Sequence, residues 1–490
     1  MDERRGRGGR PGPRRPERGG AARRPGGRPG GARPRRAPEP DAPRQVALEL
    51  LRAVRERDAY ANLTLPALLR ERGLGGRDAA FATELGYGTL RGLGTYDAVL
   101  GACVDRPLDA VDPPVLDVLR LGAHQLLAMR VPPHAAVSAT VDLARVVLGE
   151  GRGSFVNAVL RRVGRQDLDA WVREVAPPAE RDAVGHLSVA RSHPRWVVAA
   201  LREALAGDDA ELDALLAADN APAAVTLVAR PGRAEVDELL AAGAEPARWS
   251  PVAAVLPSGD PGELDAVREG RAGVQDEGSQ LVALALAAAP LEGRDEQWLD
   301  VCAGPGGKAA LLAALAAQRG ARLLAGEVQP HRARLVHAVT GGVAGAQVVV
   351  ADGRRPPWRP GAFDRVLVDA PCTGLGALRR RPEARWRRRA EDLGPLVALQ
   401  DELLAGALAA VRPGGVVAYV TCSPHLAETR AVVAAALRHH PDVEQLDARP
   451  LLPGVPDLGP GPAVQLWPHR HGTDAMHLAL LRRGGAAPPS

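Results

Sequence analysis

Apolar residues recur at helical spacing from residue 41 to about 165. The stretches RQVALELLRAVRERDAYANLTL (44–65) and PPVLDVLRLGAHQLLAM (113–129) both carry the pattern of a one-sided helix. Pro113 and Pro132 stand where helices begin, and Gly73, Gly94 and Gly149 where they end. Strand-like alternation is absent, so residues 41–165 are predicted to form an all-α domain. From 166 to 265 the pattern is mixed. Helical stretches (HPRWVVAALREAL, ELDALLAAD) lead to AVTLVAR, which reads as a strand bounded by Asn220-Ala-Pro and Pro231-Gly. A further helix (AEVDELLAAG) and a short strand (AAVLPSG) follow, giving a small α+β linker domain. From 266 to 486 apolar strands alternate with helices: QWLDVCAG, ARLLAGEV, AQVVVAD, FDRVLVDAP and GGVVAYVTCS are the strands. Continuous apolar strands separated by helices mark a parallel sheet covered on both faces, so this part is predicted to be a Rossmann-like α/β domain.

Charge alters the picture only once it is located. The net charge is +5, yet residues 1–40 hold thirteen Arg against Asp2, Glu3, Glu17 and Glu39, so the rest of the chain is net acidic. This Gly/Pro/Arg segment has nothing to bury and is expected to be a disordered tail. It suits sequence-independent contacts to phosphates, and equally a solubilising extension. The longest apolar run, Leu281–Leu291, is far short of the ~20 residues of a membrane span, so no membrane partner is expected. Four cysteines without metal-ligand spacing fit a reducing cytoplasm, with neither a disulfide scaffold nor a metal site. Of the 63 basic residues 62 are Arg; the one Lys is Lys308.

Lys308 closes the loop Asp300-Val-Cys302-Ala303-Gly304-Pro305-Gly306-Gly307-Lys308, which follows a predicted strand and opens a helix. Glycines there let the backbone approach a ligand, and the helix N-terminus offers free N–H groups. NAD, a nucleotide and S-adenosylmethionine are all compatible with such a turn. The G-x-G-x-x-G order and the Lys-Ser/Thr pair of the P-loop are both missing, which disfavours the first two. Glu327, Asp352 and Asp369 end the next three predicted strands, the edge where ligands of such sheets bind. Cys372, in Asp369-Ala-Pro-Cys-Thr-Gly, and Cys422, in Thr421-Cys-Ser-Pro424, lie at strand ends on the same side. An isolated Cys is usually a small buried hydrophobe, the expectation for Cys103. Two at this edge suit nucleophilic chemistry.

DAPCTG and TCSP, behind DVCAGPGGK, resemble the NOL1/NOP2/Sun family of RNA cytosine-5 methyltransferases, as do VQDEGSQ (274–280), RRRPEARWRR (379–388), YVTCS and GTDAMHLALL in order. GSFVNAVLRRV (153–163) resembles the last helix of NusB-type RNA-binding domains. A NusB-like domain fused to this catalytic domain is the arrangement of that family's bacterial small-subunit ribosomal RNA enzymes. The resemblance implies S-adenosylmethionine held by Cys302 to Lys308, Glu327, Asp352 and Asp369. It implies Cys422 as nucleophile on carbon 6 of the base and Cys372 as the residue that assists product release. It further implies an enzyme acting on ribosomal RNA and not on DNA, and a monomer is expected. Ala309, Gly304 and Thr429 depart from the family's usual Thr/Ser, Ala and Asn. Two rival readings are a DNA cytosine-5 methyltransferase, which would use Cys372 as nucleophile, and a non-enzymatic NusB-like RNA-binding factor. The first leaves Cys422 without a role, and the second leaves the cofactor loop unexplained.

Overall fold

The computed structural model describes residues 41–484; the Arg-rich segment 1–40 lies outside them. The first seven helices are α1 (Ala42–Arg57), α2 (Ala61–Glu71), α3 (Gly76–Arg91), α4 (Leu93–Cys103), α5 (Pro113–Leu127), α6 (Pro133–Leu148) and α7 (Glu150–Val163). Asp41 caps α1 by accepting from the Arg44 N–H at 3.2 Å, and Pro113 supplies a preset first turn for α5. Their apolar stripes meet in one core around Leu50, Leu85, Leu100, Leu119 and Leu160, all essentially inaccessible. Burying each such side chain stabilises the domain by roughly 1.5–3 kcal/mol. Gly94 does not end a helix as its residue type suggested. It lies in the first turn of α4, where its N–H donates to Ser192 Oγ at 2.9 Å. A Cβ there would stand 2.4 Å from the Trp386 ring, so the glycine makes room for a residue of the catalytic part.

Four further helices, Leu168–Val175, Ala183–Ala190, Arg195–Ala204 and Asp209–Asp219, lead into a four-stranded antiparallel sheet. Its strands are β1 (Val225–Ala229), β2 (Glu245–Pro246), β3 (Ala253–Leu256) and β4 (Ala272–Val274), in the order β2-β3-β1-β4. Because β4 pairs with β1, the sheet continues past residue 265, where the sequence pattern had suggested a boundary.

The large sheet holds β5 (Gln297–Asp300), β6 (Arg322–Glu327), β7 (Ala346–Val350), β8 (Phe363–Asp369), β9 (Val411–Thr421), β10 (Val443–Leu446), β11 (Val464–Gln465) and β12 (His477–Arg483). Their order is β10-β12-β9-β8-β5-β6-β7, with β11 on β12. Strands β5 to β9 are parallel, as their unbroken apolar runs predicted. β10 and β12 are antiparallel additions that the helix–strand alternation did not reveal. The strand order reverses at β5: β6 and β7 are added on one side of it, then β8 and β9 on the other. The carboxyl ends of these strands therefore open a crevice at the switch point. The helix Leu393–Ala410 is long and apolar enough to cross a membrane, but it buries Leu403, Leu404, Ala407 and Leu408 in a core shared with β8 and β9.

Segment 379–388 joins the parts. Arg385, fully buried, donates to Asn220 Oδ1 at 2.7 Å and to the Ser192 carbonyl at 3.1 Å. Glu383 accepts from the Ala61 N–H at 3.1 Å, and Arg387 donates to the Ala59 carbonyl. The helical domain is thus hydrogen-bonded to the wall of the crevice.

Candidate active site

The loop after β5 is built on glycine. Gly306 has φ +120°, and a Cβ there would fall 2.5 Å from Val339. At Gly304 a Cβ would fall 2.2 Å from Glu327 Oε2; the open space lets that carboxylate accept the Gly304 N–H at 3.1 Å. This departure from the family's Ala therefore brings Glu327 onto the loop. Glu327 also accepts from the Gln329 N–H at 2.9 Å. Asp300, at the end of β5, accepts from the Cys302 N–H at 3.2 Å through one oxygen, while its other oxygen is buried without a partner. Burial, with Asp369 nearby, pushes the Asp300 carboxyl up to about 8. Burial likewise pushes the Cys302 thiol up, consistent with a residue that shapes the loop rather than reacts. Ala309, the second departure, is fully buried in the following helix, Gly307–Gln318.

Asp352 stands two residues beyond the end of β7 rather than at its last position. Arg354 holds it in a two-pronged contact, at 2.7 Å through Nη2, and lowers its carboxyl below the usual range. Asp369 does end β8, and Lys308 Nζ donates to it at 2.9 Å. Lys308 thus closes the loop and lines the cleft with its ammonium paired to Asp369. Its own pKa is raised: burial disfavours the charge, but the charge and hydrogen bond of Asp369, with Cys422 and Asp300 nearby, together outweigh it.

Register sets the cysteines side by side. Asp369 pairs with Val420 across β8 and β9, so the chain leaves both strands at one level. Cys372 Sγ then lies 3.5 Å from Cys422 Sγ. Behind them Glu428, wholly buried, accepts from the Thr373 N–H at 2.8 Å, from Thr373 Oγ1 at 2.5 Å and from Gln400 Nε2 at 3.1 Å. Thr373 Oγ1 also meets Ser423 Oγ at 3.1 Å. A buried carboxylate so fully satisfied clamps the two cysteine loops together. Thr429, the third departure, donates to the His425 carbonyl at 3.0 Å and fixes the turn that presents Glu428. The thiols are pushed apart. The hydrogen bond from Cys372, helped by Lys308 and Arg381, lowers the Cys422 thiol against burial and Asp369. The same contact and burial push the Cys372 thiol well up.

All the residues singled out from the sequence except Gly306 line one cleft of about 900 Å³. Sequence reasoning passed over Asp300 and Glu428. The strand-end rule applied to the other acids would have found Asp300. Nothing in the sequence marks Glu428 as buried. The remaining motifs interlock around the cleft: Arg380 pairs with Asp474, and Asp276 accepts from the Asp474 N–H at 3.0 Å.

A glycine loop, strand-end acids and two thiols at the switch point of a Rossmann-like sheet define a methyltransferase. The pattern of the 16S rRNA methyltransferase RsmB/F family matches residues 286–482, and that of the NusB family matches 41–165. A Mycobacterium tuberculosis (strain ATCC 25618 / H37Rv) protein named as a methyltransferase is 57% identical over 445 residues, 90% of this chain and 97% of the relative. The ribosomal RNA small subunit methyltransferase B of Xylella fastidiosa (strain 9a5c) is 38% identical over 372 residues, 74% of this chain and 82% of the relative. Among solved structures, PH0851 superposes with a TM-score of 0.73 at 22% identity, covering 91% of this chain and 99% of that one. NSun6 from Pyrococcus horikoshii superposes at 0.50 and 18% identity, covering 60% and 98%. These two support the fold. The chain belongs to the RsmB/F family of 16S rRNA methyltransferases.

Proposed function

We propose that this protein transfers a methyl group from S-adenosylmethionine to carbon 5 of one cytosine in small-subunit ribosomal RNA, in the bacterial cytoplasm and as a monomer. The observation that carries the reading is the thiol pair: a thiol of lowered pKa at Cys422, hydrogen-bonded by Cys372, beside Asp369 at the mouth of a glycine loop. The cleft fits the cofactor. Beside the glycine loop, one Asp300 oxygen and both polar atoms of the Gln275 side-chain amide are buried without a partner, and Gln275 lines the cleft next to Gly307. Residues Cys302 to Lys308 would hold the amino-acid part and Glu327 the ribose hydroxyls, with Asp352 beside them. Bound S-adenosylmethionine supplies an electrophilic methyl group.

The protein's own task is to make carbon 5 nucleophilic. Cys422 thiolate adds to carbon 6, which leaves carbon 5 enamine-like. Asp369 is placed to accept from the exocyclic amine and, in its protonated form, to donate to ring N3, which stabilises the negative charge that develops there on thiolate addition. After methyl transfer a base takes the carbon 5 proton, and the electron pair of that C–H bond reforms the ring double bond as the Cys422 thiolate leaves carbon 6; Cys372 is assigned to assist this release. The rival assignment of Cys372 as nucleophile meets an obstacle, because its thiol is the one pushed up. The Arg-rich segment 1–40 would add phosphate contacts.

Bisulfite sequencing of ribosomal RNA from a deletion strain tests the reading: one 5-methylcytosine of the small subunit should vanish and return with the wild-type gene only. An unchanged methylation map would refute it. The thiol pair adds a pH test. A nucleophilic thiolate exists above its pKa, so single-turnover methyl transfer should fall as pH drops through the Cys422 value, which lies below that of free cysteine. Cys372→Ala removes the donor and should move this acid limb to higher pH. A limb that stays put would show that Cys372 does not tune Cys422.

A further inference from the structure

The cleft that holds Cys422 does not stop at the catalytic domain. It runs past Arg380, Arg381, Arg387 and Arg388 to Asp58 and Tyr60 of the helical domain. Tyr60 is the residue preceding α2, its backbone fixed where its carbonyl accepts from the Leu63 and Thr64 N–H groups. Its side chain is nevertheless 50% exposed. The Arg381 and Arg387 guanidiniums lie 5.6 and 5.4 Å from the ring centroid. The backbone on either side is anchored, through Ala61 N–H on Glu383 and the Ala59 carbonyl on Arg387. A large apolar ring held rigidly in an Arg-lined groove offers what single-stranded RNA binds: a π-face for a base and cations for its phosphates.

We infer that Tyr60 is a stacking platform for the RNA nucleotide adjacent to the target cytosine, so that the NusB-like domain contributes a substrate-positioning residue to the active-site cleft. Arg381 links the two positions, since its charge also acts on Cys422. Stacking on Tyr60 would hold the strand while the cytosine turns in toward the thiols. The inference rests on the functional reading above and adds to it a contact outside the methyltransferase domain.

The test uses the full chain and a fragment of small-subunit ribosomal RNA spanning the cytosine mapped by bisulfite sequencing, with 2-aminopurine in the neighbouring nucleotide. Tyr60→Ala should raise the KM for RNA about 5- to 150-fold, the range that loss of one stacked base produces. Its kcat at saturating RNA and its affinity for S-adenosylmethionine should change less than about twofold. Tyr60→Phe should match wild type, whereas Tyr60→Leu, which fills the space without a π-face, should match Tyr60→Ala. Quenching of 2-aminopurine should be strong with wild type and Phe and weak with Leu and Ala. An unchanged KM for Tyr60→Ala, or a Leu variant that behaves as wild type, overturns the inference. Failure to map any methylated cytosine would instead overturn the functional reading, so the two failures are distinguishable.

Discussion

Cys422→Ala is expected to bind RNA and S-adenosylmethionine yet form neither 5-methylcytosine nor a covalent RNA adduct, whereas Cys372→Ala is expected to accumulate that adduct. The two sulfurs are 3.5 Å apart, and either could in principle reach a base. What separates them beyond their mutual contact is the rest of their surroundings: Lys308 and Arg381 favour the Cys422 thiolate, while burial and the nearby Glu428 carboxylate disfavour that of Cys372. Removing the nucleophile should reduce methyl transfer on the order of 10⁴-fold or more. Above the shifted acid limb, removing Cys372 should leave attack and methylation intact and block release, so a denaturing gel shows an RNA–protein band that needs S-adenosylmethionine and Cys422. A band from Cys422→Ala and none from Cys372→Ala would reverse the assignment. The double variant, which should give no band under either scheme, ties the adduct to the thiols.

Lys308 should give the second largest effect, and through Asp369 rather than through the cofactor. Its ammonium is largely enclosed and donates to Asp369 at 2.9 Å, while its charge favours the Cys422 thiolate. Lys308→Met leaves the Asp369 carboxylate uncompensated and removes a cation from the thiolate. Breaking a buried pair costs about 3–5 kcal/mol; Asp369 keeps some solvent contact, so about half of that is expected here. Single-turnover methyl transfer at neutral pH should fall roughly 100-fold, about 2.7 kcal/mol of barrier. Part of this should return at pH 9, where the thiol ionises unaided. Lys308→Arg keeps the charge but replaces a compact ammonium with a planar fork, so a loss of about tenfold is expected. Variants that lose S-adenosylmethionine affinity but transfer the methyl at the wild-type rate once saturated would show that the lysine serves the cofactor after all.

Much of this site was legible in the sequence because chemistry and strand ends coincide. The glycine loop, Glu327, Asp369, Cys372 and Cys422 all sit where an apolar run stops, and the sheet brings such points to one edge. Asp352 was misplaced by two residues because the apolar run AQVVVA outlasts the paired part of β7. β10 and β12 were hidden because an apolar antiparallel strand has the same composition as a parallel one. Glu428 and Tyr60 were illegible for a deeper reason. Glu428 matters through Thr373, 55 residues away, and Tyr60 lies beside a segment that Ala61 meets only across 322 residues. Local pattern carries no record of such distances.

The docking of segment 379–388 makes a chain that reads as a row of modules behave as one piece. Glu383 holds the Ala61 N–H and Arg387 the Ala59 carbonyl, Trp386 fills the space left open at Gly94, and Arg385 is sealed against Ser192 and Asn220. Arg380, Arg381, Ala384, Arg387 and Arg388 of the same segment line the cleft that holds Cys422. Excising the NusB-like part would bare the Trp386 ring and take from Glu383 and Arg387 their backbone partners, and grafting one from a distant relative would bury those groups against a surface not shaped for them. Either change would also distort the groove at the point of reaction. The seam between the domains is therefore the place where recombination between relatives should be least tolerated, although the alternation of helix and strand makes it look like the natural place to cut.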